Sequence, residues 1–113
     1  MKDEQRSHNV ARMALRPEEF EDRVRNLAAV TGRVAWSAHA RERMEERDIS
    51  IRVALTVLRE GRVSGPIEPG QSAGEWKAKI VRNVKGRRDV GVVVVIIRND
   101  RLFVKTVEWE DLR

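Results

Sequence analysis

The sequence contains no cysteine and no tyrosine, and aromatic residues make up only 4% of its 113 positions. Without cysteine the chain can form no disulfide framework, no thiolate metal site and no cysteine nucleophile. Its longest apolar run, Val92 to Ile97, is strand-sized and far below the roughly 18 residues that a membrane span needs. Because the N-terminus is polar and lacks the apolar core of a signal peptide, we expect a cytoplasmic protein with no membrane partner.

The residue types that hold metal ions or nucleotides are also scarce. With no cysteine and only two histidines in the chain, a metal site at His39 would depend on carboxylates as co-ligands, and the nearby carboxylates alternate with arginines that compete for them. The glycines at positions 61, 65, 70 and 74 are spaced as turns and not as a phosphate-binding loop. We therefore expect no metal site and no cofactor.

The charge of the chain is basic but mixed. Its 23 basic and 18 acidic residues give a net charge of +5, which favours a polyanionic partner, chiefly nucleic acid, or an acidic protein. The length fits one domain with a single modest core.

Residues 1–33 predict an N-terminal helical extension. Pro17 suits a first helical position, and the acidic residues that follow it favour the positive end of the helix dipole. Phe20, Val24 and Ala28 recur at helical spacing and form a narrow apolar stripe. We expect this stripe to pack on the rest of the protein, the alternative being a docking face for a partner.

Residues 34–113 predict one α+β domain. Ser37 and Ser50 can each cap a helix, and alternating or β-branched runs predict strands over 34–36, 75–84, 90–97 and 102–109. Glycine and proline within residues 62–74 predict a loop. The expected fold is a sheet of about four mainly antiparallel strands with two helices packed on one face, and the strand at 90–97 is expected to be central and covered on both faces.

The helix that begins after Ser37 carries the most informative cluster of side chains. On a helical period of about 3.6 residues, His39, Arg43 and Arg47 fall along one face. A proton carrier that titrates near neutrality and two permanent cations on one rigid surface suit the binding or cleavage of a phosphodiester. The alternative is a helix without chemistry, in which neighbouring carboxylates neutralise the arginines and His39 hydrogen-bonds a carbonyl group.

The run from His39 to Ser50, His-Ala-x-x-Arg-Met-x-x-Arg-x-Ile-Ser, resembles the signature of a family of small bacterial proteins of unknown function. The layout that follows is also similar, with a helix ending in Gly61, a loop containing glycine and proline, and a strand that includes Thr106-Val107. That family is usually grouped with the RelE/ParE toxin superfamily, so the resemblance implies a RelE-like fold.

The resemblance implies a toxin-like, metal-independent ribonuclease acting on RNA, including ribosome-bound mRNA, with an acidic antitoxin as a further partner. The alternatives are a ParE-type topoisomerase inhibitor and a non-catalytic module that binds nucleic acid or protein on the same scaffold. Several RelE-type toxins use a tyrosine near the C-terminus, and that tyrosine has no counterpart here.

Metal-free cleavage of RNA requires groups that transfer protons and cations that stabilise the charge developing on the phosphorus. The candidate catalytic residues are His39, Arg43, Arg47 and Lys79. The candidate RNA-binding residues are Lys77, Arg82, Arg87, Arg88 and Lys105. The alternatives are a solvated strand face for the lysines at 77 and 79, and a plain loop for the basic turn at 85–89.

Overall fold

The computed structural model describes residues 15–86 and 88–111, so the first 14 residues of the predicted extension and Arg87 lie outside the described residues. Within these ranges lie three α-helices: α1 (Pro17–Ala28), α2 (Ala38–Arg47) and α3 (Ile51–Glu60). The five strands are β1 (Val34–Trp36), β2 (Arg62–Pro69), β3 (Trp76–Lys85), β4 (Arg88–Ile97) and β5 (Arg101–Trp109). The predicted α+β class is confirmed. None of the described helices is long and apolar enough to cross a membrane.

The five strands form one mixed sheet in the order β1-β5-β4-β3-β2. β1 runs parallel to β5, with Val34 opposite Leu102, and the other neighbouring strands are antiparallel. β4 occupies the centre, as its β-branched composition predicted.

The prediction of about four strands is wrong, because β2 lies where a loop was expected. β2 pairs with β3 at Arg62–Ser64 and again at Glu68–Pro69, with an irregular stretch between the two paired parts. That stretch holds Gly65, at a φ of 87°, and Pro66, which has no backbone N–H to donate. An edge strand tolerates such residues because one of its sides needs no hydrogen-bonded partner.

Two serine caps set the starts of α2 and α3. The Ser37 hydroxyl accepts a hydrogen bond from the Ala40 N–H at 2.9 Å, and the Ser50 hydroxyl accepts one from the Val53 N–H at 3.1 Å. Asp48 ends α2 in the left-handed conformation, with a φ of 56°. The link between the two helices is therefore only three residues long, and both predicted caps are confirmed.

All three helices contribute to a single hydrophobic core on one face of the sheet. The fully buried side chains include Phe20 and Val24 of α1, Val57 of α3, and Val92 and Val94 of β4. The predicted coverage of β4 on both faces is wrong. The helices lie on one side only, and Val93 and Ile97 on the other side remain partly exposed.

Helix α1 is part of this core. Its residues Phe20, Val24 and Ala28 are 0% exposed, as expected for a stripe that packs on the protein. Polar contacts also fix the helix: Arg59 donates to the Ala28 carbonyl at 2.9 Å, and Glu21 accepts from the Val63 N–H at 2.7 Å.

Candidate functional site

The face of the sheet opposite the helices, here called the open face, carries three of the predicted cations. Ala78 and Ile80 are buried in the core, so Lys77 and Lys79, which alternate with them along β3, point to the open face. Lys105 lies at a register shift in β5 and lines the same cleft as Lys77. The structure thus brings the three lysines onto one face.

Lys79 sits between two carboxylates at the C-terminal end of the chain. Its Nζ atom is 2.9 Å from Glu110 Oε1 and 3.7 Å from Glu108 Oε2. The hydrogen bond to Glu110 raises the pKa of Lys79 above 10.5, burial opposes the rise, and the negative charges of both carboxylates reinforce it. Lys79 is therefore a fixed cation near neutral pH: it can stabilise negative charge but has no lone pair to accept a proton.

A glycine makes room for this ion pair. Gly91 lies on β4, directly opposite Glu108 of β5, and a Cβ atom added there would collide with the Glu110 carboxylate and lie 3.0 Å from Lys79 Cδ. The Glu110 N–H donates to the Asp89 carbonyl at 2.8 Å, which holds this segment against β4 beyond the end of β5. The side chains of Lys79 and Glu110 can therefore meet across the central strand.

Sequence reasoning missed Gly91, Glu108 and Glu110, although the sequence contained a signal for each. A glycine inside an otherwise β-branched run indicates a close approach of other atoms, and Gly91 is such a glycine. Alternation from Thr106 places Glu108 and Glu110 on the face that also holds Lys79.

Lys77 and Lys105 are less neutralised than Lys79. The Nζ atom of Lys77 is 3.9 Å from Glu68 Oε1, at the outer limit of an ion pair, and the side chains are 38% and 56% exposed, respectively. Lys105 is exposed and makes no ion pair with any other residue in the described ranges. These two lysines are the open-face cations most available to an external anion.

The residues predicted on helix α2 belong to the other side of the sheet. α2 buries Ala40 and Met44 in the helix-side core. His39 is exposed on α2, and Arg43 pairs with Glu46 at 2.7 Å. The structure keeps the histidine and the arginines on one helix, but it does not bring Lys79 to them, so the four candidate catalytic residues do not form one site.

Three further candidates among the described residues, Arg47, Arg82 and Arg88, also lie on the helix side. Arg47 and Arg88 line a cavity of about 630 Å³, and the Arg88 guanidinium stacks 3.9 Å from the centre of the Trp109 ring. Arg88 also donates to Asp111 at 3.2 Å, and Arg82 pairs with Glu60 at 2.9 Å. Each of the three arginines is thus engaged within the protein or directed away from the open face.

The chemistry available on the open face is that of lysines and carboxylates. In the part of the chain that the structure describes, no group of three or more His, Asp or Glu side chains is placed to hold a metal ion. The open face instead combines cations that attract phosphate with carboxylates that can accept a proton.

Comparisons with known proteins identify the family. No curated protein and no solved structure matches the chain. The family model described as "Domain of unknown function (DUF4258)" matches residues 36–109, which run from the end of β1 to the end of β5 and make up well over half of the chain. The chain therefore belongs to the DUF4258 family.

Proposed function

We propose that this protein is a RelE-like cytoplasmic protein that binds RNA across the open face of its sheet. The observation that carries the proposal is the placement of Lys77, Lys79 and Lys105 on a face that none of the described helices covers. Lysines hold phosphate groups by charge, and an apolar floor between them accommodates the faces of bases. The α+β fold and the sequence from His39 to Ser50 support the assignment to the RelE/ParE superfamily.

Cleavage of the bound RNA is the second candidate function, and the contact between Lys79 and Glu110 favours it. In such a step the RNA 2′-hydroxyl gives its proton to a carboxylate, the 2′-oxygen bonds to phosphorus and the bond from phosphorus to the 5′-oxygen breaks. The carboxylate returns the proton to the leaving 5′-oxygen, while the Lys79 ammonium stabilises the charge on the phosphate oxygens. Glu108 or Glu110 would then take the proton-transfer role that the sequence suggested for His39.

The same surface suits the partners implied by the family resemblance. An acidic antitoxin protein that covers the open face would neutralise the lysines and block access of RNA or of ribosome-bound mRNA. Competition between such a protein and RNA is therefore part of the proposal.

The binding test compares two double variants with the same change in charge. Lys77→Met with Lys105→Met removes two cations from the open face, and Arg41→Met with Arg52→Met removes two exposed cations from the helices. We expect only the open-face variant to weaken binding of a short single-stranded RNA. It should also reduce the slope of log K against log salt concentration by about 1.4, the value for two lost phosphate contacts. Equal losses in both variants would contradict a binding site on the open face.

The cleavage test incubates the same RNA with the wild type and with the Lys79→Met, Glu110→Gln and His39→Ala variants. Loss of cleavage in the first two variants, with His39→Ala active, supports the open-face site. The opposite pattern places the chemistry on α2. RNA that is bound and remains intact identifies a binding module without catalysis.

A further inference from the structure

A cleft on the open face combines an aromatic ring with two cations. It lies between the turn at residues 70–75 and strand β5, and its volume is about 410 Å³. Phe103, Val95 and Ile97 form its apolar lining, and Lys77 and Lys105 contribute the positive charges. Phe103 is partly exposed within the open face, so a planar group can stack on its ring.

The sheet register fixes the distance between the ring and the first cation. Phe103 of β5 lies opposite Val95 of β4, which in turn lies opposite Lys77 of β3. Because neighbouring strands are about 4.8 Å apart, the backbone positions of Phe103 and Lys77 are separated by roughly 10 Å. Both side chains project from this row, so a nucleotide whose base lies on Phe103 has its phosphate within reach of a lysine.

The turn that borders the cleft is held in place by its own hydrogen bonds. The Gly70 N–H donates to the Glu75 carbonyl at 2.8 Å, and the Ser72 N–H donates to Glu75 Oε1 at 3.2 Å. A Cβ atom at Gly70 would lie 2.6 Å from Glu75 Cβ, so this close crossing of the turn requires glycine. The border of the cleft is therefore preorganised.

The polar groups of the cleft differ between its two sides. Glu75 and Gln71 line the turn side, where a negative charge disfavours phosphate and a carboxylate can accept hydrogen bonds from the edge of a base. The two lysines provide the sites that favour phosphate. This separation of charge matches a nucleotide better than it matches a uniformly acidic peptide.

We infer that this cleft is a nucleobase subsite for single-stranded RNA. The base stacks on Phe103, the turn contacts the edge of the base, and Lys77 and Lys105 hold the adjoining phosphates. The inference rests on the proposed RNA binding and adds a requirement for the base itself, which charge attraction alone does not create.

The test measures binding of two short oligonucleotides of equal length, oligoadenylate and an abasic ribose-phosphate chain, to the wild type and to Phe103→Leu. Leucine keeps an apolar side chain but removes the aromatic face. The control Val81→Ala alters the open face outside the cleft, and thermal unfolding of each variant shows whether it is folded. Lys105→Met, at an exposed position, is a second variant for the case in which Phe103→Leu does not fold.

We expect the wild type to bind oligoadenylate more tightly than the abasic chain, and Phe103→Leu to lose about 5- to 150-fold in affinity for oligoadenylate, the range for loss of one base stack. Lys105→Met should weaken the binding of both chains, and Val81→Ala should change neither. Equal affinity of the folded wild type for both chains, or an unchanged Phe103→Leu, overturns the subsite and leaves RNA binding in place. If neither chain binds the wild type, the proposed function fails as well. A polyglutamate peptide that binds as tightly as oligoadenylate would show that the face is a surface for acidic protein.

Discussion

The two faces of the sheet are built from the same strands and have opposite character. On the helix side, no polar or charged residue in the described ranges is buried, and valine, isoleucine and leucine side chains fill the core. On the open face, lysines and carboxylates surround an apolar strip that includes Val93 and Phe103. Neighbouring residues of β3 alternate between the two faces: Ala78 is buried in the core, and Lys79 lies on the charged face. The comparison shows that one sheet can separate an apolar core from a charged surface.

On both sides of the sheet, carboxylates of the protein neutralise part of the positive charge. On the helix side, Arg43, Arg82 and Arg88 each pair with a carboxylate of the protein. On the open face, Lys79 is paired within the protein, while Lys105 makes no ion pair among the described residues. Net charge alone therefore does not identify the binding surface, because many of the positive charges are already compensated where they lie.

The largest expected effect is loss of stability from the helix-side core. Phe20→Ala removes a side chain that is 0% exposed, and such truncations cost about 3–5 kcal/mol of unfolding free energy. The matched control Val30→Ala alters a side chain that is 53% exposed and should change the unfolding free energy by less than about 0.5 kcal/mol. Urea denaturation measures both values. Similar values for the two variants would contradict a core that includes α1.

Alanine substitution at two glycines tests the difference between the faces directly. At Gly61 a Cβ atom would lie 2.6 Å from the Val57 carbonyl and 2.7 Å from the Val81 carbonyl, so the backbone must shift, at a cost of about 1–3 kcal/mol. At Gly91 the colliding atoms are the ends of the Glu110 and Lys79 side chains, which can rotate away. We therefore expect Gly91→Ala to cost less than Gly61→Ala in chemical denaturation. The reverse order would show that the Lys79–Glu110 contact is part of a rigid core.

The smallest expected effect is a pH dependence from Lys79. Because Glu110 and Glu108 raise its pKa in the folded protein above 10.5, the ion pair contributes stability that is fully present below pH 10.5 and is lost as the pH rises through the raised pKa. The stability advantage of the wild type over Lys79→Met should shrink in that alkaline range, as measured by urea denaturation at increasing pH. Lys105→Met, which removes a lysine that makes no ion pair among the described residues, is the control. A wild-type advantage that grows with pH would contradict the assigned contact.

The sequence predicted the helices better than it predicted the sheet. Ser37 and Ser50 are local signals, because a capping hydroxyl bonds an N–H only three residues away. β2 was missed because Gly65, Pro66 and Pro69 are typical of loops, and only the pairing with β3 makes the segment a strand. Coverage of β4 was overestimated because a β-branched run indicates a central strand but does not reveal how many faces helices cover.

The sequence predicted which strand face carries the candidate lysines, but it did not predict which other residues come near them, because those neighbours are set by tertiary packing. Alternation correctly placed Lys77 and Lys79 on one face of a strand. Whether helix α2 would lie on that face or on the opposite one depends on the packing of Ala40 and Met44, which helical spacing cannot decide. Glu110 comes to Lys79 from 31 residues away, a contact that no local pattern contains.

RNA binding on the open face is tested most directly by NMR. The isotopically labelled protein is titrated with a short single-stranded RNA, and the amide chemical shifts are followed. We expect the largest changes at Val93, Val95, Phe103 and Lys105 on the open face, with the amides of His39 and Arg43 unchanged. Changes that centre on His39 and Arg43, with the open face unaffected, would contradict RNA binding on the open face and place the RNA site on helix α2.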